Sequence, residues 1–461
     1  MRIGIIHYKV GDTDGVSLEI DKWKIVLEEL GHRVFLAGGY LGTVNGTLIE
    51  EMFHHTQTAF RLYKQSFIEL EPGRESEYRN QLYTSANRIE DRLKEFVESN
   101  RIDLLVVENI WSVAANPAVA IATFNVVKSC GIACISHNHD FYWERTEGVC
   151  LTCSTALEFA DKFLPPHDPG IQHTVINSIA QREFLLRKGI ESAVIPNVFD
   201  FDAPPWVKDQ YNQDLRQQIG LKENDVVILQ ATRVVSRKGI ELAVDFVKAL
   251  GAESRRKVLS DKGLYNGLSF DEDSRIVFVL AGYRHDDTSG AYVSRINRKI
   301  EKEGIDAIFI SDVIDARRSE IHGAKKYSLW DSYVIADFVT YPSLWEGWGN
   351  QLLEAIRAKL PFLLFEYPVY EADIASADFK VVSLGDQLSG RDSLGLATVS
   401  PELIEKAADE ALVQLYDPEV RFNVVNHNFE QAQHYYNMEA LKRYVSHLLE
   451  SAIQRKPGSD T

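Results

Sequence analysis

At 461 residues the chain is too long for one ordinary domain, and two or three are expected. Hydrophobic residues make up 45% and charged residues 25%, a globular balance that permits a large core. Fifty Lys plus Arg against 67 Asp plus Glu give a net charge of −17, which argues against a nucleic-acid binder and against tight docking on anionic lipid.

The start, Met1-Arg2-Ile3-Gly4-Ile5-Ile6, runs straight into a strand and lacks the apolar stretch and small-residue cleavage site of a signal peptide. The most apolar stretch, Leu104 to Val127, carries Glu108, Asn109, Asn116 and Pro117, so it reads as a buried strand and a helix, not as a membrane span. A cytoplasmic protein with no integral membrane segment and no nucleic-acid partner is the expectation.

Ile3–Tyr8 is a continuously apolar strand of the kind buried on both faces. The loop Val10-Gly11-Asp12-Thr13-Asp14-Gly15 follows. A helix then starts at about Ser17, the expected N-cap, with Ile20, Trp23, Leu27 and Leu30 on one face. Gly31 closes it and Val34–Gly38 is a second strand, which completes a βαβ unit and implies a parallel sheet. From about Thr47 to Asn100 the pattern is polar and long-periodic, a helical excursion broken at Pro72-Gly73. Strands resume at Leu104–Glu108, Ile132–His139, Gln172–Asn177 and Ala193–Ile195, and Phe199–Trp206, with Pro204-Pro205, has linker composition.

A second alternating unit places strands at Asp225–Gln230, Arg275–Ala281, Ala307–Ile310, Phe338–Tyr341 and Pro361–Phe365. Helices are expected at Gly239–Leu250, at Trp330–Ala336 and from Gly349 to about Lys359. The tail from about Tyr436 to Ile453 is helical, with Leu441, Tyr444, Val445 and Leu448 on one face. The fold class is α/β, two Rossmann-like doubly wound halves, whose ligands bind beyond the carboxyl ends of the strands. The four cysteines, Cys130, Cys134, Cys150 and Cys153, invite a zinc reading. Cys134 lies inside an apolar strand, a poor knuckle for tetrahedral ligation, so reduced thiols are the expectation.

Three segments carry the chemistry. In Tyr341 to Ala355 a strand ends, a glycine-bearing loop follows and a helix begins, which aims backbone N–H groups at an anion. Glu346 and Glu354 sit there too, and carboxylates accept from hydroxyls, not from phosphate. Together they suit a ligand with a diphosphate and sugar hydroxyls; a helix-dipole acid and a solvated Glu are the plainer alternative. In Gln230 to Gly239 a strand again leads through a loop to a helix, now with three cations. Arg233 and Lys238 can neutralise a departing diphosphate, although any isolated Arg-Lys pair is more often a solvated loop. In Ser136-His137-Asn138-His139-Asp140 two histidines and an acid end a strand; His137 and His139 share a face, yet no third metal ligand stands out. The first loop lacks G-x-G-x-x-G, which excludes a dinucleotide-dependent dehydrogenase.

In this order the three segments resemble those of family-four retaining glycosyltransferases of the GT-B fold. Glu346 to Glu354 is similar to that family's E-x7-E motif, with Trp348 in place of Phe, and Arg233 to Gly239 resembles its R-x4-K-G loop. Gly131 through Asp140 resembles its strand ending in His-Asp, which makes His139 the active histidine and His137 the reserve. Asn177-Ser178 and Ile195-Pro196-Asn197-Val198-Phe199-Asp200 look like its N-S and I-P-N-G-V-D segments, with Val198 where glycine is usual. The likeness is weak at about Thr47–Asn100 and Glu253–Asp273.

The resemblance implies two Rossmann-like domains facing a central cleft, residues 1–197 and 198–430, with residues 431–461 a C-terminal helix packing back on the first. It implies that Glu354 accepts from ribose hydroxyls, that Glu346 holds donor-sugar hydroxyls, and that Gly347, Trp348, Gly349 and Asn350 offer backbone N–H groups. Arg233 and Lys238 would stabilise the leaving nucleoside diphosphate, His139 would orient the donor sugar, and Gly15-Val16-Ser17 would border the diphosphate. His137, Asp140, Tyr142 and Trp143 are acceptor-side candidates. No metal and no cofactor is required; the nucleotide sugar is a co-substrate and a small polar molecule the acceptor.

The expected activity is retaining hexosyl transfer from GDP-mannose or UDP-glucose. Tyr8 to Trp23 and His139 to Arg145 incline it toward compatible-solute enzymes that mannosylate glucosylglycerate-type acceptors. A trehalose-type phosphorylase or synthase, and an inactive nucleotide-sugar binder, are the alternatives.

Overall fold

The strands β1 (Arg2–His7), β2 (Arg33–Gly38), β3 (Thr47–Leu48), β4 (Leu104–Glu108), β5 (Ala133–Asn138), β6 (Ile171–Val175) and β7 (Ala193–Val194) form one parallel sheet in the order β3-β2-β1-β4-β5-β6-β7. The computed structural model describes residues 1–12, 14–144, 149–282, 290–315, 317–321 and 323–454; Thr13 and Arg145, quoted above, lie outside these. Near-continuous apolar runs form the central strands because helices cover both faces of such a sheet. The order reverses between β1 and β4, and that reversal opens a crevice at the strand ends.

The first helix is Gly15–Glu29, two residues earlier than the sequence reading, and its N-cap is Asp14, not Ser17. The Asp14 carboxylate accepts from the N–H groups of Val16 and Ser17 and, at 2.6 Å, from the Ser17 hydroxyl. An ionised cap outcompetes a hydroxyl for the same orphan donors. The excursion at 47–100 is helical at Gln57–Phe67 and Glu75–Ser99, with a turn at Pro72-Gly73. Its Leu82, Ala86, Ile89, Leu93 and Phe96 join the core of this unit.

Two compact units divide the chain. The first is Met1–Asn197 with the segment from Met438, and the second is Val198–Asn437. The helix Met438–Gln454 packs within the first unit on the helix Gly15–Glu29 and on β5 and β6. Residues 431–435 still belong to the helix Pro418–Tyr435, so the returning segment starts at Met438 and not at Gln431.

In the second unit β8 (Val226–Gln230), β9 (Ile276–Leu280), β10 (Asp306–Phe309), β14 (Phe338–Tyr341), β15 (Phe362–Leu364) and β16 (Val382–Ser383) make a parallel sheet in the order β10-β9-β8-β14-β15-β16. Its reversal lies between β8 and β14. A small sheet that the sequence reading did not foresee, β11 (Ile314–Asp315), β12 (Ser319–Ile321) and β13 (Ala324–Ser328), is inserted ahead of the helix Leu329–Val334. Phe199–Trp206 reads as linker by composition but is bound into this unit. Arg357 donates to the carbonyls of Asp200 and Pro204 at 2.9 and 2.8 Å, and Trp206 stacks on Trp330 at 4.6 Å. Val198 is fully buried and adopts no left-handed φ, so the glycine usual there is not needed.

Candidate active site

The crevice between β8 and β14 brings together two loops more than a hundred residues apart in sequence. The loop after β8 carries Arg233, Arg237 and Lys238, and the loop after β14 carries Glu346. The backbone N–H of Leu344 donates to the carbonyl of Arg237 at 2.8 Å, which fastens one loop to the other. Gly239 has φ +58, and a Cβ there would sit 2.2 Å from the carbonyl oxygen of Pro342. Only glycine allows that approach.

Between the loops Glu346 is buried and bridges two cations. Its Oε1 pairs with Lys238 Nζ, and its Oε2 accepts from Arg237 at 2.9 Å. Burial pushes the Glu346 carboxyl up, but the charges of Lys238 and Arg237 outweigh it and hold the group below the ordinary carboxylate range. Burial likewise pulls Lys238 below the ordinary lysine range, with Glu346 opposing and Arg237 and Arg233 adding to the fall. Arg233 is exposed and close enough to be felt by Lys238. Two cations against one carboxylate, with Arg233 near Lys238, leave an excess of positive charge, and that excess suits a diphosphate.

Glu354 lies in the helix Asn350–Arg357, is buried, and accepts from the Tyr333 hydroxyl at 2.7 Å. The start of this helix has no side-chain cap; its N-cap is Gly349 at φ +123. A Cβ on Gly349 would lie 2.1 Å from the Tyr367 hydroxyl, which donates to the Trp348 carbonyl at 2.7 Å. The Trp348 ring is buried against Tyr436, and its Nε1–H has no hydrogen-bond partner among the described residues. Gly347 and Asn350 flank it on the loop and at the helix start, both half-buried.

In the first unit the histidine cluster lies at the ends of β1, β4 and β5. Asn109, left-handed at φ +50, accepts at its side-chain oxygen from the backbone N–H groups of His139 and Asp140 at 3.0 and 3.3 Å and from the Ser112 hydroxyl at 2.6 Å. It thereby shapes the turn that ends in His139. Glu108, wholly buried, takes both imidazoles on a single oxygen: Oε2 lies 3.0 Å from His137 Nδ1 and 3.2 Å from His139 Nε2. Burial raises the Glu108 carboxyl, and the two histidines more than reverse this and hold it low. Burial lowers His139, and the bond and charge of Glu108 carry it above the usual histidine value.

The third group near His137 and His139 that the sequence did not disclose is therefore Glu108, and the three lie within 4.8 Å of one another. An ionised carboxylate only accepts, so both rings must donate toward it. Both nitrogens are directed at Oε2, and the three groups form one buried cluster. Among the described residues the cysteines contribute to no such group, and all four are free thiols.

Gly15 is exposed at the first helix start, and the N–H groups of Val16 and Ser17 are already taken by Asp14. Asp140 is exposed and Tyr142 half-buried, whereas Trp143 stacks on Phe141 at 4.4 Å in a satellite core with Phe184. Sequence reasoning assigned nothing to Glu108, Asn109, Arg237 or Tyr333. Glu108 had a legible signal, a charged residue closing the wholly apolar run Leu104–Val107. Arg237 is one of the three cations between Gln230 and Gly239, and no pattern in the sequence selects those that touch Glu346.

Residues 212–378, which span both loops of the second unit, match the family model described as glycosyl transferases group 1. The sucrose-phosphate synthase structure from Thermosynechococcus elongatus shares the fold, with a TM-score of 0.58 at 14% identity over 97% of this chain and 98% of that one. The chain belongs to the group 1 glycosyltransferases, which have the α/β GT-B fold. Within that family it is similar to mannosylglucosylglycerate synthases. It is 39% identical to that of Petrotoga mobilis, over 91% of this chain and 94% of the relative, and 34% identical to that of Thermotoga maritima, over 97% and 99%. Among the described residues no helix is long and apolar enough to cross a membrane.

Proposed function

We propose that this glycosyltransferase is a retaining, metal-independent hexosyltransferase that moves mannose from GDP-mannose, or glucose from UDP-glucose, to a hydroxyl of a glucosylglycerate-type acceptor. The observation that carries the donor side is the Lys238–Glu346–Arg237 cluster at the β8–β14 crevice. The mannosyl donor and the acceptor class rest on the relatives, whose name describes a mannosylated glucosylglycerate.

On this reading Arg233 and Lys238, with Arg237, take the charge that grows on the leaving diphosphate, the work that Mg²⁺ does in metal-dependent transferases. Glu346 holds their heads in place and accepts from donor-sugar hydroxyls, and Glu354 accepts from the ribose hydroxyls. The bond from the anomeric carbon to the phosphate oxygen breaks while the acceptor oxygen attacks from the same face. The acceptor proton passes to the departing phosphate oxygen, so anomeric configuration is kept and the products are the glycoside and a protonated nucleoside diphosphate. His139 orients the sugar. Asp140, exposed, and Tyr142, half-buried, are the acceptor-side candidates.

The test is incubation with GDP-mannose or UDP-glucose and glucosylglycerate in the presence of a chelator, with product anomers read by NMR. An α-linked product formed at an undiminished rate is expected. Inverted configuration, or activity abolished by the chelator and restored by Mg²⁺, would refute the reading. Turnover of a disaccharide with phosphate alone would replace it by a phosphorylase, and binding without even donor hydrolysis by an inactive binder.

A further inference from the structure

Glu108 has no role in that reaction, yet it is a wholly buried charge. It closes β4 beside the reversal of strand order, and its peptide carbonyl accepts from His7 Nδ1 at 2.6 Å. Of its two oxygens, Oε2 serves both imidazoles and Oε1 has no hydrogen-bond partner among the described residues. A carboxylate kept ionised in such a place is costly unless its charge is used. The two rings against it are not equivalent. His137 packs against Trp23 at a tilt, with centroids 4.7 Å apart, and its Nε2 is a buried orphan, so it is walled in. His139 follows β5 directly, its backbone is held by Asn109, and only its Nε2 is committed to Glu108.

We propose that Glu108 is a positioning residue for His139. Its carboxylate accepts the Nε2–H, holds the imidazole in one tautomer and one orientation, and leaves Nδ1 as the nitrogen offered to substrate. The logic is that of a buried acid that orients a histidine without reacting itself. His137 fills the second lobe of the same oxygen, which keeps the carboxylate from swinging away. The charged and titratable groups facing His139 are Glu108 from β4, His137 from its own strand, His7 from β1, Glu19 from the helix Gly15–Glu29, and neighbouring Asp140. Of these Glu108 alone is hydrogen-bonded to the ring. The catalytic consequence rests on the hexosyltransferase reading; the tautomer does not.

Two measurements on the full chain separate these. In ¹⁵N-histidine NMR, with signals assigned through His139→Asn and His137→Asn, neutral His139 is expected to carry its proton on Nε2 and neutral His137 on Nδ1. In Glu108→Gln the His139 titration midpoint is expected to move to lower pH, because an anion beside it is gone. An Nδ1–H tautomer for His139, or an unmoved midpoint, overturns the proposal whatever the enzyme does. So does one equivalent of a transition metal found in the protein as purified.

In assays, Glu108→Gln is expected to lower kcat about ten-fold or more with a smaller change in donor KM, and to shift the histidine limb of the pH profile to lower pH. On a His139→Ala background it is expected to cost nothing further, since it acts through that ring. A full additional loss in the double variant overturns the proposal. Should Glu108→Gln fail to fold, the wild-type tautomers still decide, and Glu108→Asp, which keeps the charge, is expected to retain more activity than His139→Ala.

Discussion

Arg237 and Lys238 grip opposite oxygens of Glu346, Arg237 at 2.9 Å, so that two adjacent residues of one loop close on one carboxylate of another. The two grips differ in worth. The Lys238 side chain is 10% exposed and the Arg237 side chain 31%, so the lysine pair is the less screened. Lys238→Met is expected to destabilise the protein by about 3–5 kcal/mol, as breakage of a buried pair does, and Arg237→Met by clearly less. Lys238→Met with Glu346→Gln is expected to lose less than the sum of the two. Urea midpoints at constant m check this; an additive double variant would mean the pair is not coupled.

Nucleoside diphosphates report on the same cluster. Thermal shifts with GDP, UDP and ADP are expected to rank the native base first, and Lys238→Ala is expected to abolish most of the shift. If that variant binds as tightly as the parent, the phosphate does not lie at this loop.

Tyr333→Phe removes the hydroxyl that donates to Glu354 and leaves a buried carboxylate oxygen short of one donor. A loss of about 1–3 kcal/mol is expected. Tyr333→Phe with Glu354→Gln measured as a cycle should return a coupling of about 0.5–3 kcal/mol, and a coupling of zero would separate the two residues.

Gly349→Ala meets two obstacles, φ +123 and a hydroxyl 2.1 Å from the new methyl. Tyr367→Phe removes only the second. The single Gly349→Ala is expected to lower the melting temperature markedly, and Tyr367→Phe in the same chain to recover part of it, with the backbone cost remaining.

Stability should fall at both ends of the pH range, for different reasons. Glu346 and Glu108 sit below the ordinary carboxylate value in the folded chain, so what they contribute is present above about pH 4.5 and is lost as pH falls through their folded values. Glu144 has the opposite sign. Burial, aided by Asp140 and Glu183, pushes it up to about 7, so its folded form holds a proton that the unfolded form releases, and stability drains away as pH rises from about 4.5 to about 7. His139, raised by Glu108, contributes fully below its unfolded value and is lost as pH rises through its folded one. Glu144→Gln is expected to flatten the slope between about pH 4.5 and 7, read from urea midpoints across pH; an unchanged slope would assign it elsewhere.

The amino-acid order by itself determined the strand and helix alternation. Apolar runs such as Leu104–Val107 and the residues around Val226–Gln230 tolerate no environment but the middle of a covered sheet, and Gly31 and Gly131 punctuate the helices before them. It also placed Arg233, Lys238, Glu346 and Glu354, since motif spacing on a strand-loop-helix frame is local. Only the tertiary structure decided which groups touch. The pairing of β8 with β14 brings Arg237 to Glu346, that of β4 with β5 brings Glu108 to His139, and Tyr333 meets Glu354 from a separate helix. Those partners are 21 to 109 residues apart, and contacts at such separations come from sheet order and packing, which no local pattern records.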